Sequence, residues 1–562
     1  MSAPDATEAL AGAGTGTTAN IASHLPAMAR LQPFTPAIYA PAGRDERDRP
    51  RWLCWTFKQL DDESDRIARG LERVGITRGV RTVLMVTPGL DFFALTFALF
   101  KVGAVPVVVD PGMGIRRLGQ CLAEAEPAAF IGIPKAHVAR LLFGWARGTL
   151  KTLVTVGRKL GWGGLRYEDL RRLGASDEPY VMADTEPDET AAILFTSGST
   201  GVPKGAVYSH GNFSGQVDVL RETYGIQPGE CDLATFPLFG LFDPALGMTT
   251  IVPDMDASKP GAVDPRRIFE AIETFGATNM FGSPALLRRV AEHGVFEGLS
   301  MPSLKRVISA GAPVPAEVLE KAASLLTDGA EVHTPYGATE SLPNTTISHT
   351  TVLGETAAET ARGRGVCVGE PVSGVEVKVI KIIDEPIESW SEDLVLADGE
   401  VGEIVVKGPR VTQSYYGRPE ATAIAKIRDG ERVRHRMGDL GRFDDRGRLW
   451  FCGRKAHRVE TADGPLYTMM VEGVLNACEG VLRTALVGVG PRGEQRPLVW
   501  VEARRGANAD EALAAVKARA AQDEALKGVT EFRLHPGFPV DVRHNSKIFR
   551  EQLTEEAAAL LG

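Results

Sequence analysis

Cysteine pairs, long apolar stretches and long basic runs are the features that this sequence lacks. Its six cysteines are far apart among 562 residues and form no CxxC pair, which argues against a disulfide framework and a zinc site. The 63 Lys and Arg residues face 72 Asp and Glu residues, so there is no electrostatic reason to expect nucleic acid as a partner. No apolar stretch is long enough to span a bilayer. We therefore expect a cytoplasmic protein with a disordered tail over residues 1–20.

Several common catalytic motifs are also absent or misplaced. The sequence contains neither a GxSxG nucleophile elbow nor an HExxH pair, so it gives no support to a hydrolase or a zinc protease. Residues 488–493, GVGPRG, match GxGxxG, but EQRPLVWVE follows where a dinucleotide-binding fold requires a helix. This segment is predicted to be a hairpin turn.

The length and the apolar pattern predict an α/β protein of more than one domain. Apolar runs at residues 82–86 and 104–110 alternate with helical segments, which indicates βαβ units and a parallel sheet. Residues 397–409 and 441–455 look like β-structure with Asp-Gly and Arg-Gly turns, and new strands and helices start after them. We predict a large domain of stacked βα sheets with a β-subdomain over residues 21–455. A small, mobile α+β lid domain is predicted over residues 456–562.

One segment of the first half, residues 137–164, is apolar with scattered Arg and Lys and no acidic residue. Ordinary packing of a helix and a strand, with basic side chains reaching water, explains this pattern. A surface that faces lipid or a protein partner explains it too. Both interpretations stay open at this point.

The strongest local signal is AAILFTSGSTGVPKG at residues 191–205. A short apolar strand leads into a loop of hydroxyl side chains and glycines that ends at a lysine. Such a loop can wrap a polyphosphate, because it offers donors, backbone without a blocking Cβ, and a mobile cation. Its spacing differs from the Walker pattern GxxxxGK[ST]. We interpret it as a phosphate-binding loop that contains Thr196, Ser197, Gly198, Ser199, Thr200, Gly201 and Lys204.

The sequence TSGSTGVPKG resembles the signature loop of the adenylate-forming superfamily of acyl-CoA ligases, luciferases and peptide-synthetase adenylation domains. Five further resemblances follow in that superfamily's order up to Leu553. They are ISAGAPV (308–314), YGATES (336–341), GEIVVKGP with YYGRPEAT (402–422), MGDLGRFDDRGRLWFCGR (437–454) and NSKIFREQL (545–553). Six collinear segments make an accidental match very improbable. The resemblance implies that ATP is the cosubstrate and that a carboxylic acid is activated as an acyl-AMP.

The resemblance also assigns roles to individual residues. Glu340 is the expected Mg²⁺ ligand, and Lys204 and Lys547 are the expected catalytic cations, with Lys547 bridging the carboxylate and the α-phosphate. Asp439 and Arg454 are expected at the ribose, and Tyr336 offers a ring to the adenine. The remaining ATP-binding residues are expected to be Gly311, Ala312, Pro313, Gly337 and Thr339. The segment around Lys547 departs from the family, because Pro539 lies further upstream than the usual motif allows.

A second departure lies after the phosphate loop, where FPLFGLFDP (236–244) has Gly240 at a position that is His in many acyl ligases. We interpret this glycine as extra room beside the acyl carbon. The acyl pocket is then predicted to contain Phe236, Phe239, Gly240, Leu241 and Phe242, which suit an apolar chain.

The hinge departs as well, since GRKAHRVE (453–460) has Ala456, His457 and Glu460 in place of typical residues. Together with VDPGMG, FPLFGLFDP and RHNSKIFREQL, it resembles the branch of the superfamily that forms β-lactones in bacterial long-chain olefin biosynthesis. That resemblance implies a long-chain 2-alkyl-3-hydroxy acid whose own hydroxyl attacks the acyl-adenylate, and it leaves room for partners from the same pathway. The base for this step is not identified among His333, His435, His457 and His544.

Two other functions stay open. A long-chain fatty acyl-CoA ligase would share the same motifs and would transfer the acyl group to CoA. A nucleotide-binding regulatory module without catalysis is the other, but it predicts lost catalytic groups, whereas Lys204, Glu340, Asp439 and Lys547 are all present.

Overall fold

The computed structural model describes residues 19–196, 203–540 and 548–561. Asn20, which the sequence assigned to the tail, is buried, and its Nδ2 donates to the Phe100 carbonyl at 2.8 Å. Residues 1–18 lie outside the described residues. Among the described residues, no helix is long and apolar enough to cross a membrane.

The first part of the chain builds a parallel sheet with helices on both faces. Its elements are α1 (His24–Leu31), β1 (Pro36–Arg44), β2 (Pro50–Thr56), α2 (Phe57–Arg73), β3 (Arg81–Met85), α3 (Leu90–Lys101), β4 (Val105–Val109), α4 (Ile115–Ala125), β5 (Ala129–Gly132), α5 (Pro134–Phe143), β6 (Thr152–Thr155), β7 (Leu165–Arg166), α6 (Tyr167–Leu173), β8 (Thr190–Thr196) and β9 (Lys204–Ser209). The strand order is β7-β6-β5-β3-β4-β8-β9, and all pairs are parallel except the β8–β9 hairpin. The predicted βαβ units are confirmed.

A second parallel sheet follows. Its further elements are α7 (His210–Tyr224), β10 (Cys231–Ala234), α8 (Pro237–Gly240), α9 (Asp243–Leu246), β11 (Thr249–Ile251), α10 (Pro265–Phe275), β12 (Asn279–Phe281), α11 (Pro284–Glu297), β13 (Arg306–Ile308), α12 (Ala316–Ala323) and β14 (Glu331–His333). The strand order β14-β13-β12-β10-β11-β1-β2 returns to the start of the chain, so the two sheets share one core. Helix α3 is buried on all sides in that core, which explains why its sequence is apolar all round.

The third part forms an antiparallel sheet. Its elements are β15 (Tyr336–Ala338), β16 (Ser341–Thr346), α13 (His349–Thr351), α14 (Ala357–Thr360), β17 (Val366–Pro371), β18 (Glu376–Ile380), β19 (Gly402–Lys407), α15 (Pro419–Ala425), β20 (Lys426–Asp429), β21 (Arg432–Phe443) and β22 (Leu449–Arg454). Strands β21 and β22 pair around the turn at Asp444 and Gly447, as the Asp-Gly and Arg-Gly patterns predicted. This sheet supplies several of the polar residues of the site described below.

The last part of the chain carries its own small sheets. Its elements are β23 (Val459–Thr461), β24 (Gly464–Leu466), α16 (Thr468–Leu475), β25 (Val481–Val489), β26 (Arg496–Ala503), α17 (Ala509–Gln522), β27 (Glu531–Leu534) and α18 (Arg550–Leu561). Strands β25 and β26 pair in antiparallel register around GVGPRG, so that segment is a hairpin turn as predicted. The predicted α/β class, with two helix-covered sheets, a β-region and a small α+β unit, is confirmed.

Candidate active site

A cavity of about 890 Å³ lies where the carboxyl ends of the parallel strands meet the antiparallel sheet. Its walls include Val108 and Asp110 at the end of β4, Leu194 of β8, and Gly311 after β13. Open parallel sheets bind ligands at this edge, because the loops that leave the strands diverge there. The cavity is lined mainly by apolar side chains, with a polar group of residues at one side.

The predicted phosphate loop follows β8 in the chain. Thr196, the last residue of β8, and Lys204, the first residue of β9, are partners in the antiparallel register, so the predicted strand precedes the loop and Lys204 lies in the next strand. Lys204 lines the cavity, with its Nζ 5.2 Å from the centroid of the Tyr415 ring. Ser197, Gly198, Ser199, Thr200 and Gly201 lie outside the described residues, so their contacts with phosphate stay predictions.

Glu340 lines the same cavity as Lys204, and both residues contact Tyr415. Its side chain is buried, and Oε1 accepts a hydrogen bond from the Tyr415 hydroxyl at 2.5 Å. Burial raises the pKa of Glu340, but His435, the Tyr415 hydroxyl and Lys426 outweigh it, so the pKa lies below its ordinary value. The carboxylate is therefore charged at neutral pH and ready to hold a cation.

Two neighbours of Glu340 have strongly lowered pKa values. Burial lowers the pKa of Lys426 to about 7, although Glu340 opposes this shift. Burial, reinforced by Lys426, lowers the pKa of His435 to about 3. The His435 ring is thus neutral at pH 7, and its Nδ1 lies 3.2 Å from the Ala425 carbonyl. Sequence reasoning missed Lys426 and Tyr415, although Tyr415 belongs to the YYGRPEAT segment that it had identified.

The residues around Glu340 fit a magnesium ion that is held mainly by its substrate. Within the described ranges, no group of three or more His, Cys, Asp or Glu side chains is arranged to hold a metal. Mg²⁺ on a nucleotide needs only one or two carboxylates, because the phosphates and water complete its shell. A single charged carboxylate beside the phosphate loop meets that requirement.

The predicted nucleoside residues form one connected group. The Tyr336 hydroxyl donates to Asp439 Oδ2 at 2.7 Å, and Arg454 Nη1 lies 3.0 Å from Asp439 Oδ1. Asp439 and Arg454 face each other in the register of β21 and β22, which fixes this contact. Burial, together with Asp439, raises the pKa of Tyr336 well above its ordinary value, so the hydroxyl remains a donor. The sequence had identified all three residues but not their contact with one another.

Only some of the remaining predicted ATP residues line the cavity. Gly311, Gly337 and Thr339 line it. The Thr339 carbonyl accepts a hydrogen bond from the Tyr208 hydroxyl, which anchors the segment that leads to Glu340. Ala312 and Pro313 follow Gly311 but do not line the cavity. Their roles at the nucleotide stay predictions.

The predicted acyl pocket is a cluster of aromatic side chains. Phe236 and Phe239 have ring centroids 5.1 Å apart, and Phe239 lies 4.4 Å from Phe281 of β12. Leu241 and Phe242 line the cavity beside them. The wall also includes Phe92, Thr96, Phe97 and Phe100 of α3, which the sequence alone did not distinguish from core residues.

The interpretation of Gly240 as extra room in the acyl pocket is wrong. Gly240 does not line the cavity; it packs under the α8 turn against the second sheet. A Cβ at this position would lie 2.7 Å from the Ala234 Cβ and 3.3 Å from the Thr250 methyl group. Glycine is therefore required by close packing against β10 and β11, not by the substrate.

The candidate base and cation residues separate clearly. Among the described candidates, His435 lines the cavity, whereas His333 and His457 do not. The Nε2 atom of His333 lies 3.5 Å from Glu331, and that of His457 lies 3.4 Å from Glu551. His544 and Lys547 lie outside the described residues. Lys455 was the alternative to Lys547, but its Nζ is bound by the Ile383 carbonyl at 2.7 Å and by Glu403 Oε2 at 3.0 Å. Lys455 lines the cavity, but these two contacts already engage its ammonium group.

The hinge segment is also tied to its surroundings. Lys455–His457 forms a short 3-10 turn directly after β22, and Ala456 lines the cavity. Glu460 is paired with Arg458, whose Nη2 lies 2.6 Å from Asp384. Of the unusual hinge residues, Glu460 thus belongs to an ion-pair network that reaches Asp384 of the antiparallel sheet region, whereas His457 contacts Glu551.

Comparison with known proteins agrees with this site. Residues 29–416 match the family described as AMP-binding enzyme. The chain is 53% identical over 550 residues to an olefin beta-lactone synthetase of Stenotrophomonas maltophilia, covering 96% of this chain and 98% of the relative. It is 50% identical over 551 residues to an olefin beta-lactone synthetase of Xanthomonas campestris pv. campestris, with the same coverage.

Solved structures agree on the fold. The amide bond synthetase McbA of Marinactinospora thermotolerans superposes with a TM-score of 0.77 at 21% sequence identity, over 96% of this chain and 99% of McbA. At that identity the likeness concerns the fold alone. The family match, the two close relatives and the cavity that joins a phosphate loop to a buried carboxylate agree, and the chain belongs to the AMP-binding enzyme family.

Proposed function

We propose that this protein uses ATP and Mg²⁺ to convert a long-chain 2-alkyl-3-hydroxy acid into a β-lactone. The substrate carboxylate attacks the α-phosphorus of ATP, and pyrophosphate leaves. The β-hydroxyl oxygen then attacks the acyl carbon, its proton is lost, and the bond from the acyl carbon to the AMP oxygen breaks. The products are the β-lactone, AMP and pyrophosphate.

The observation that carries this proposal is the composition of the cavity. Its polar part holds Lys204 and Glu340, and its apolar part is lined by the aromatic side chains of α3 and of the segment around Phe239. An acid with a long apolar chain fits this arrangement, because the carboxylate and the chain need opposite environments. The names of the two relatives at 53% and 50% identity point to the same reaction.

Each polar residue has a role in the proposed first step. Glu340 would hold Mg²⁺, which would supply positive charge to neutralise the negative charge of the phosphates. Lys204 and Lys547 add positive charge at the phosphates and the attacking carboxylate. Asp439 and Arg454 position the ribose, and Tyr336 holds the Asp439 carboxylate in place.

The second step needs little further machinery, because the nucleophile belongs to the substrate. Holding a hydroxyl next to its own activated carbonyl replaces a bimolecular encounter. Burial of the site also protects the acyl-adenylate from water. The small unit after residue 456 is proposed as the lid that closes the site, with Asp384–Arg458 and Glu317–Arg504 as contacts between it and the rest of the chain.

The runner-up, a long-chain fatty acyl-CoA ligase, predicts a different product. The decisive experiment incubates the protein with a 2-alkyl-3-hydroxy acid, ATP and Mg²⁺, with and without CoA, and identifies the products by mass spectrometry. We expect AMP and a product that has lost one water relative to the acid, at the same rate in both reactions. If AMP release requires CoA and an acyl-CoA accumulates, the β-lactone proposal is rejected in favour of the ligase function.

A 3-deoxy analogue of the acid separates the two steps. It lacks the tethered hydroxyl, so we expect pyrophosphate release in a single turnover and a stalled acyl-adenylate. Continued turnover of this analogue without CoA would show that another nucleophile expels AMP.

A further inference from the structure

Helix α5 exposes an apolar surface to solvent. We call this surface the α5 patch; it consists of Val138, Leu141, Leu142 and Phe143 of α5 together with Ile115 of α4. Leu142 is 74% exposed, Phe143 and Ile115 are each 51% exposed, and Leu141 and Val138 are 46% and 41% exposed. A contiguous apolar surface is costly in water and marks an interaction site.

The orientation of α5 is inverted relative to an ordinary surface helix. Its polar residues His137 and Arg140 face the protein interior, while Val138, Leu141 and Leu142 face outward at helical spacing. The inward His137 is well accommodated, since its Nε2 lies 3.0 Å from the Val154 carbonyl and its ring stacks on Trp162. Ala136 and Ala139 of α5 pack against the core, whereas the exposed Val138, Leu141 and Leu142 do not contribute to it.

The neighbouring helix continues the same surface. Trp145, just after α5, is buried against Gly119 of α4, and its ring lies 5.9 Å from that of Phe143. Ile115 is one turn before Gly119, so it lies on the same face of α4. Trp145 thus contacts both α4 and the end of α5, next to the exposed side chains of each helix.

The chain segment that carries α5 has charges of positive sign only. Residues 134–166 contain seven Lys and Arg residues and no Asp or Glu, in a chain whose net charge is −9. Arg147, Lys151 and Arg158 are exposed, as are Arg116 and Arg117 of α4. Within the described ranges none of these five side chains forms an ion pair, whereas other exposed arginines such as Arg49, Arg78 and Arg172 do so.

We propose that the α5 patch docks on the surface of an anionic phospholipid bilayer. Its aliphatic side chains and Phe143 would enter the boundary between headgroups and acyl chains, and the surrounding arginines and lysines would pair with lipid phosphates. The α5 patch has an apolar centre surrounded by cations without acidic partners in the described part of the chain. This arrangement fits an anionic bilayer better than a protein interface, because the rim of a protein interface carries charges of both signs. Docking would also bring the cavity close to the bilayer. Val108 of β4 and Asp110 directly after it line the cavity, and α4 is the next helix in the chain.

The test is flotation of the full-length protein with lipid vesicles. We expect co-flotation with vesicles of phosphatidylcholine mixed with phosphatidylglycerol, little with phosphatidylcholine alone, and loss of binding at high salt. The double variant L142E/F143E should reduce the bound fraction at least about tenfold, because it places two charges in the apolar centre. The double variant R147E/K151E should reduce it as well, by reversing the rim charge.

The matched control is Phe296→Glu on α11, since Phe296 is 85% exposed but lies on a helix of the second sheet. This variant should float like the wild type. All variants should release pyrophosphate from a short, soluble acid at the wild-type rate and keep their melting temperature, which shows that they are folded.

The proposal is overturned if the wild type does not float with anionic vesicles, or if L142E/F143E floats equally well. Light scattering of the free proteins tests the alternative of a protein interface. Association between copies that L142E/F143E abolishes, without vesicle binding by the wild type, would assign the α5 patch to a protein partner instead.

Discussion

At the scale of single residues, the function proposed for Glu340 depends on the side chains around it. The carboxylate is buried, which by itself favours the protonated form. The Tyr415 hydroxyl and the neighbouring Lys426 reverse that preference and lower the pKa of Glu340. A metal ligand is thus kept charged in a pocket that also accepts an apolar substrate.

Loss of Glu340 or Lys547 should abolish most of the adenylation activity. We expect Glu340→Gln and Lys547→Ala each to reduce pyrophosphate release at least about a hundredfold, the usual scale for a contact that stabilises transition-state charge. Glu370→Gln is the control, because Glu370 is an exposed glutamate at the end of β17. Near-normal turnover of a folded Lys547→Ala protein would remove Lys547 from the first step.

A side chain at Gly240 should destabilise the protein without changing its substrate preference. Gly240→Ala places a methyl group 2.7 Å from the Ala234 Cβ, and overpacking of this kind costs about 1–3 kcal/mol. We expect a lower melting temperature and equal activity losses for branched and straight-chain acids. Gly354→Ala is the control, since a Cβ there meets no atom within 4 Å. A selective loss of branched substrates at unchanged stability would return Gly240 to the acyl site.

At the scale of secondary-structure elements, β10 and α9 bring two carboxyl groups together in the interior. Asp232 of β10 and Asp243 of α9 are both buried and lie next to each other beneath the α8 turn. Burial raises the pKa of Asp232 to about 7, and burial together with Asp232 raises the pKa of Asp243 well above its ordinary value. The folded pair therefore retains protons that the unfolded chain has released.

This pair should make stability fall as the pH rises. The unfolded aspartates lose their protons near pH 3.8, whereas folded Asp232 loses its proton near pH 7, so the folded state binds more protons between these values. The stability contribution is complete below about pH 4 and is lost as the pH rises through about 7. We expect Asp232→Asn to be stabilised relative to the wild type at pH 8 and to show a flatter dependence of melting temperature on pH. A constant difference between pH 4 and 8 would contradict the raised pKa.

Helix α3 is the element that we expect to set the length of the acyl chain. Thr96 lines the cavity between Phe92, Phe97 and Phe100, and it is 4% exposed. Thr96→Phe should fill part of the apolar volume and lower kcat/KM for long acids relative to short ones by at least about tenfold, because each excluded methylene forfeits about 0.8 kcal/mol. Thr96→Ser keeps the hydroxyl and should leave the ratio unchanged. An unchanged ratio in Thr96→Phe would place the acyl chain elsewhere.

At the scale of the whole molecule, the small unit after residue 456 is held by ion pairs to the larger part. Asp384 contacts Arg458 at 2.6 Å and Arg492 at 3.0 Å, and Glu317 contacts Arg504 at 2.9 Å. Arg458 is nearly buried, so its pair is less screened than an exposed one.

Removing these carboxylates should loosen the small unit. We expect the double variant D384N/E317Q to show faster hydrogen exchange in residues 468–534 and a lower rate of acyl-adenylate formation, because the closed arrangement is less populated. Asp398→Asn, in an exposed turn of the same region, serves as the control. Unchanged exchange in the double variant would show that apolar contacts alone position the unit.

The sequence by itself determined the α/β class and the βαβ units. It also predicted Lys204, Glu340, Tyr336, Asp439 and Arg454 as site residues, of which Lys204, Glu340 and Arg454 line the cavity. These features depend on short-range periodicity and on motifs whose residues are close together in the chain. The sequence also showed that residues 137–164 are apolar and basic. It did not distinguish ordinary packing from a surface that faces lipid or a protein partner.

The tertiary structure alone decided which residues meet. It placed Gly240 against Ala234 rather than beside the substrate, assigned α3 to the cavity wall, tied Lys455 to Glu403, and turned the apolar side of α5 toward solvent. Each of these outcomes depends on contacts between segments distant in the chain, or on the direction in which a side chain points. A linear pattern contains the residue types, but the free energy of a buried glycine, an ion pair or an exposed leucine depends on the neighbours that only the folded chain provides.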